Sequence, residues 1–305
     1  MSVTRRALLW LGGRPGAQRI VQRTPLSRSM VRRFVAGDTL QDALHVIARE
    51  NRSGIGGILD ELGEGVHETA MAERAAADYA AALQASRQQA VDTTVAVKLT
   101  QLGLLIDQEG CLSRIASLCD QAEGAGMRLE IDMEHSDVVD ATLQVYRRLA
   151  ASHAPPRLAV QAYLHRTPGD LRSLAELGTP IRLVKGAYSE PEDRALQSQE
   201  ELSARYRELT DWLFDHHPDP AFGTHDGAMI GYAQTAARRR GLGRASFEVQ
   251  MLYGVRRDLQ QELALAGYRV RVYVPFGSAW YPYLLRRLAE RPANLRFFLR
   301  SLGPG

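Results

Sequence analysis

Apolar positions along the chain fall into two recurring patterns. Eight short runs of aliphatic, β-branched or aromatic residues read as buried strands: Gly54–Leu59, Thr94–Leu99, Arg128–Met133, Leu158–Leu164, Ile181–Val184, Ala221–Thr224, Ala245–Met251 and Val270–Val274. Between them lie longer stretches with apolar residues every three to four positions, as in an amphipathic helix: Glu68–Val91, Cys111–Ala125, Val138–Ala151, Asp193–His216, Ala228–Arg239 and Arg256–Ala266. Gly126, Gly178, Gly241 and Gly267 each follow a helical stretch, where a glycine ends the helix in a left-handed turn. The first strand is the least strand-like, because it carries Gly54, Gly56 and Gly57.

Strand and helix alternate throughout, which predicts a parallel sheet covered by helices. Eight such units close into an α/β fold of the (β/α)8, TIM-like barrel type, expected over residues 51–305. A doubly wound open sheet competes. It normally carries a G-x-G-x-x-G turn after its first strand, and the nearest approach here, Gly54-Ile55-Gly56-Gly57, sits inside a strand-like run. Leu40, Leu44 and Ile47 share one helical face, so residues 1–50 are expected to form a helical arm packed on the barrel.

Composition narrows the function. The chain is 45% hydrophobic and 24% charged, ordinary for a globular protein and unlike a disordered one. Its net charge of +3 is spread out, and Arg238-Arg239-Arg240 reads as a helix C-terminus meeting its dipole. The basic stripe that nucleic-acid binding needs is absent from the sequence. Cys111 and Cys119 lie eight residues apart on one predicted helix, about 12 Å along its axis and too far to bridge. No Cys/His spacing suggests a metal site, and a reducing compartment is expected. The opening MSVTRRALLWLGG has an apolar stretch, Ala7 to Leu11, too short for an export signal. The expected location is cytoplasmic, with at most peripheral contact at the inner face of the plasma membrane.

Chemistry in a barrel gathers at the C-terminal ends of its strands. Reading those ends yields Lys98, Asp132, Gln161, Arg182, Lys185, Thr224, His225, Glu248 and Tyr273. Each alone is as well explained by a satisfied polar group; nine together point to a site. The lysines sharpen this reading. Of 38 basic residues only Lys98 and Lys185 are lysines, and both sit at predicted strand ends. A compact ammonium in a tight site is not replaceable by a planar guanidinium. Further on, Tyr283, Arg286/Arg287 and Glu290 share one face of a predicted helix. Two adjacent arginines can grip a carboxylate, and a solvated face with an Arg286–Glu290 pair explains the spacing equally well.

The stretches VAVKLTQLG, EIDMEHSD, AVQAYL, IRLVKGAY, GTHD, FEVQMLYG, RVYVPFG and YLLRRLAERPAN, in that order, resemble the proline dehydrogenase family over roughly residues 35–300. The resemblance implies a (β/α)8 barrel holding FAD at its C-terminal mouth, with the last helix laid over that mouth. It implies that Lys98, Arg286 and Arg287 hold the carboxylate of L-proline, that Tyr273, Tyr283 and Leu252 line the ring, and that Glu290 positions the arginine helix. Arg182 matches the arginine beside flavin N5. Asp132, Met133, Gln161, Lys185, Gly186, Ala187, Tyr188, Thr224, His225 and Glu248 match flavin-contacting or catalytic positions. Asp132 is a candidate proton acceptor by position and equally a hydrogen-bond anchor. The family passes its electrons to a membrane quinone, and contact with a separate pyrroline-5-carboxylate dehydrogenase stays open. Asp226 stands where the family often has Asn, and Ser189 where an aromatic is frequent; the size of Tyr273 favours proline over hydroxyproline.

Two other functions compete. A Schiff-base aldolase on the same barrel would use Lys98 or Lys185 as nucleophile. A non-catalytic amino-acid-binding protein would hold proline without turning it over.

Overall fold

The computed structural model describes residues 32–63, 65–281 and 283. Helix α1 (Leu40–Asn51) precedes β1 (Gly56–Glu61), and the alternation then runs α2 (Thr69–Gln88), β2 (Thr93–Val97), α3 (Gln108–Gly124), β3 (Leu129–Ile131), α4 (Val139–Ala150) and β4 (Arg157–Gln161). It continues with α5 (Thr167–Ala175), β5 (Ile181–Val184), α6 (Gln199–His216), β6 (Ala221–Gly223), α7 (Gly227–Arg239), β7 (Glu248–Leu252), α8 (Arg257–Leu265) and β8 (Arg269–Phe276). The eight strands form one closed parallel barrel in sequence order. Closure is made by β8 on β1, in register from Gly56↔Arg271 to Glu61↔Phe276. Every strand pairs on both edges, so the barrel leaves no strand edge open.

Helix α1 lies against β1 and β8, across the closing seam. Thr39 and Asp42 form a reciprocal cap at its start, each accepting from the other's backbone N–H. Its apolar face is the predicted one: Leu44 and Ile47 are fully buried and belong to the same core as the barrel helices. Burial of each contributes about 1.5–3 kcal/mol. The close fit needs Gly57, since a Cβ there would lie 2.6 Å from the Ile47 side chain. The glycine run that weakens the first strand on paper is therefore what lets a helix seat on it.

Several expected boundaries move, and two of the shifts are informative. The strand expected from Ala245 starts at Glu248, because Arg244–Ser246 forms a 3-10 turn. Phe247 ahead of it packs edge-on to Phe214 and Phe222, an apolar role that reads as strand in the sequence. The helix expected from Asp193 starts at Gln199, capped by Ser198. Residues ahead of it instead run alongside the β4–α5 loop, with Ala195 bridged to Leu164. All four helix-ending glycines have positive φ, between +57° and +84°. Cys111 and Cys119 are both free and buried, and burial pushes each thiol up to about 12. No helix among the described residues is long and apolar enough to cross a membrane.

Candidate active site

Side chains on one strand alternate between core and outer layer, so residues two apart share a face. Glu130 and Asp132, Glu248 and Gln250, and Arg269, Arg271 and Tyr273 are such sets. Their polar groups meet inside the barrel as a column running along its axis.

At the N-terminal end, Arg157 is 1% exposed and donates to Glu248 at 2.7 Å, Asp219 at 2.6 Å and Glu130 at 3.2 Å. Arg269 and Arg271 also reach Glu248, each at 3.3 Å. Glu248 is thus the first residue of β7, at the bottom of the barrel. The sequence reading counts Glu248 among the C-terminal strand ends; in the barrel it opens β7 and lies at the opposite end. Burial raises its carboxyl, but the three arginines and the Gln250 hydrogen bond outweigh burial and bring it to about 2.

Mid-barrel, Glu130 is fully buried and accepts from Thr94, Arg157, Arg182 and Gln250. Arg182 is the second residue of β5 rather than its end. Its guanidinium reaches upward, donating to Glu130 at 3.0 Å through Nη1 and to Asp132 through Nη2.

At the C-terminal mouth, Asp132 joins the two halves of the predicted site. Beyond Arg182 it accepts from the Tyr273 hydroxyl at 2.5 Å, and Lys98 Nζ lies 3.3 Å away. Lys98 also donates to Asp60 of β1 at 2.6 Å. Tyr273 is the fifth of eight residues in β8, but pairs with Leu252, the last residue of β7, so it stands at mouth level. The guanidinium carbon of Arg182 lies 5.7 Å from its ring centroid. Burial pushes Asp132 up, yet Arg182, Lys98 and the Tyr273 hydrogen bond pull it below the usual carboxylate range. Burial alone would lower Lys98; Asp60, Tyr273 and Asp132 instead hold it well above its ordinary value. Tyr273 is raised well above its own by burial and by the same two carboxylates.

Around this centre the remaining predicted residues form the rim. Gln161 ends β4, donates to the Glu134 carbonyl at 2.9 Å and accepts from Ala187 N–H at 3.4 Å. Gly186 has φ +125°, and a Cβ on it would lie 2.3 Å from the Tyr163 ring. Tyr188 packs on His135 with ring centroids 4.0 Å apart, and Met133 is buried beside β3. Lys185 donates to Asp226 at 2.8 Å, while Asp226 caps α7 by accepting from Ala228 N–H. Thr224 accepts from Asp226 N–H. His225 Nε2 accepts from Leu252 N–H at 2.8 Å, which places the proton of the neutral ring on Nδ1. Tyr283 is buried. Arg286, Arg287 and Glu290, and with them the helix expected over the mouth, lie outside the described residues.

Sequence reasoning did not pick out Asp60, Glu130, Glu134 or Gln250. Glu134 accepts from Thr100 at 2.7 Å, and burial raises its carboxyl. The usable signal was polar residues spaced by two within a strand, which marks a polar barrel axis.

A closed parallel barrel with buried cations and carboxylates joined at its C-terminal mouth is built as a barrel enzyme. The family model described as "Proline dehydrogenase" matches residues 43–300. Proline dehydrogenase 1 of Bacillus subtilis (strain 168) is 35% identical over 276 residues, covering 90% of this chain and 91% of the relative. Proline dehydrogenase of Deinococcus radiodurans is 34% identical over 309 residues, covering 99% and 98%. Among solved structures, proline utilization A from Bdellovibrio bacteriovorus, inactivated by N-propargylglycine, superposes with a TM-score of 0.81 at 23% identity. That match covers 86% of this chain and 32% of the longer one, and shares the fold. The chain belongs to the proline dehydrogenase family, and is an oxidoreductase of proline catabolism.

Proposed function

We propose that the chain oxidises L-proline to Δ1-pyrroline-5-carboxylate, with FAD at the barrel mouth as hydride acceptor and a membrane quinone as the final one. The observation that carries this is the junction at Asp132, which binds Lys98, Arg182 and Tyr273 into one unit at the C-terminal end of the barrel.

The donor set suits FAD. Arg182 Nε is buried with no hydrogen-bond partner among the described residues, so one guanidinium donor remains that no described residue takes up. Arg182 and Lys185 add positive charge suited to a flavin edge and a diphosphate, and the Gly186 backbone permits close approach of a flat ring. Met133, Gln161, Ala187, Tyr188, Thr224 and His225 complete the assigned cofactor contacts; Glu248, at the opposite end of the barrel, is withdrawn from them. When bound, FAD supplies the two-electron acceptor for the hydride leaving proline C5.

The chain's own residues bind and orient. Lys98, kept protonated by Asp60 and Asp132, presents an ammonium to the proline carboxylate together with Arg286 and Arg287. Tyr273, Tyr283 and Leu252 wall the ring, and the family resemblance assigns Glu290 to position the two arginines. Asp132, held below the usual carboxylate range, is a weak proton acceptor; its part is to align Lys98 and Arg182. A Schiff-base aldolase needs a neutral lysine, and both lysines are instead engaged by carboxylates, at 2.6 Å and 2.8 Å.

The test is reconstitution with FAD followed by turnover of L-proline with a dye acceptor. Absence of a flavin spectrum after reconstitution sinks the proposal, and binding of proline without turnover returns the binding-protein reading. Arg287→Met is expected to raise the proline KM by about 2–5 kcal/mol of lost binding while the barrel stays folded. A change under about 0.5 kcal/mol would make that helix a solvated face.

A further inference from the structure

We propose that Glu130 is a positioning residue for Arg182, with Gln250 as its second contact, and that this pair aims the guanidinium at the cofactor from beneath. The inference rests on the reading of Arg182 as the cation beside the flavin.

Arg182 enters the barrel from the lower half of β5, so its side chain must climb to reach the mouth. Two carboxylates bracket it: Glu130 below at 3.0 Å and Asp132 above. Gln250 Oε1 also accepts from Nη1, at 3.4 Å. A guanidinium held at both Nη1 and Nη2 cannot swing about its long axis, so the direction of Nε is set. Asp132 alone cannot do this, because it is shared with Lys98 and Tyr273. Glu130 in turn is anchored from three other strands, by Thr94, Arg157 and Gln250, and Gln250 Nε2 bridges its two oxygens at 2.9 and 3.0 Å. Gln250 also donates to Glu248 at 2.8 Å, which ties the lower ion cluster to the same support. Among the described residues no hydrogen bond joins Glu130 or Gln250 to Lys98, whose ammonium partners are Asp60 and Asp132, so the support acts on the flavin side of the site and not on the carboxylate clamp.

Two consequences separate this role from plain stability. Glu130→Gln removes one of the two negative charges facing Arg182, which leaves a more positive field at the flavin and favours its reduced, anionic form. The flavin midpoint potential should therefore move to a more positive value. Misaligned Arg182 should lower kcat by about tenfold or more, with the proline KM within about threefold of wild type because the clamp is untouched. Gln250→Met keeps every charge and removes the second contact to Arg182 together with the Gln250 bonds to Glu130 and Glu248. It should lower kcat by several-fold and leave the potential where it was.

The experiment measures kcat, KM and the flavin midpoint potential of the FAD-loaded full chain for wild type, Glu130→Gln and Gln250→Met, with thermal melts alongside. The inference stands if kcat falls in both variants at near-constant KM and the potential moves only in Glu130→Gln. It is overturned if Glu130→Gln melts earlier but keeps wild-type kcat and potential. If Glu130→Gln does not fold, a wild-type kcat in Gln250→Met overturns it equally. A wild-type chain that L-proline does not reduce fails the underlying function; a reducible wild type with indifferent variants fails this inference alone.

Discussion

Replacing Glu248 by Gln should weaken the barrel and leave cofactor binding intact. Glu248 is 3% exposed and faces Arg157, Arg269 and Arg271. Glutamine keeps the shape and removes the charge, so Arg157 stays buried with Glu130 and Asp219 as its remaining anions. Breaking one side of a buried ion cluster costs about 3–5 kcal/mol. Typical unfolding entropies put a 305-residue chain at about 0.6 kcal/mol per kelvin at its midpoint. The expected drop in Tm is therefore about 5–8 °C near neutral pH. The effect has a direction with pH. The folded carboxyl titrates near 2, below the ordinary 4.5, so its stabilisation is present above pH 4.5 and is lost as pH falls through about 2. The Tm gap between wild type and Glu248→Gln should accordingly narrow in acid. Calorimetry gives the gap, and fluorescence titration gives the FAD affinity. A stability change under about 1 kcal/mol, joined to a loss of FAD affinity beyond about tenfold, would refute the reasoning and restore Glu248 to the cofactor.

Glu61, the last residue of β1, is raised to about 7 by burial and by the neighbouring charges of Asp78 and Asp60. Its folded pKa lies above the ordinary value, so its contribution is present below pH 4.5 and is lost as pH rises through about 7; Glu61→Gln should be more stable than wild type at pH 8 by about 1–3 kcal/mol and equal to it near pH 4 in denaturant titrations. Gly186→Ala should lower FAD affinity about tenfold or more in the same fluorescence titration, since φ +125° and the Tyr163 ring both oppose a Cβ.

Much of the barrel was legible because its outer layer obeys simple periodicity. Leu44 and Ile47 mark the buried face of α1, and the four helix-ending glycines mark helix ends by backbone requirement. The sequence misleads where apolar residues serve something other than a strand: Phe247 belongs to an aromatic cluster ahead of β7, and counting it into the strand hides that Glu248 opens β7. Lysine scarcity located Lys98 and Lys185 correctly at strand ends. It was blind to what holds them, because Asp60 and Asp226 come from distant strands and loops. Glu130 and Gln250 were hidden for the same reason. A polar residue inside a strand looks like an exception in one dimension; only closure of the barrel shows that each such exception neutralises another.

The central claim is that this mouth takes electrons from proline. Anaerobic addition of L-proline to the FAD-loaded chain, followed at the flavin absorption band, tests it in one cuvette. Bleaching of one flavin per chain is expected, reversed by a quinone analogue, with no bleaching at the same proline concentrations in Lys98→Met. A flavin that stays oxidised in wild type, or one that bleaches equally well without Lys98, would contradict it.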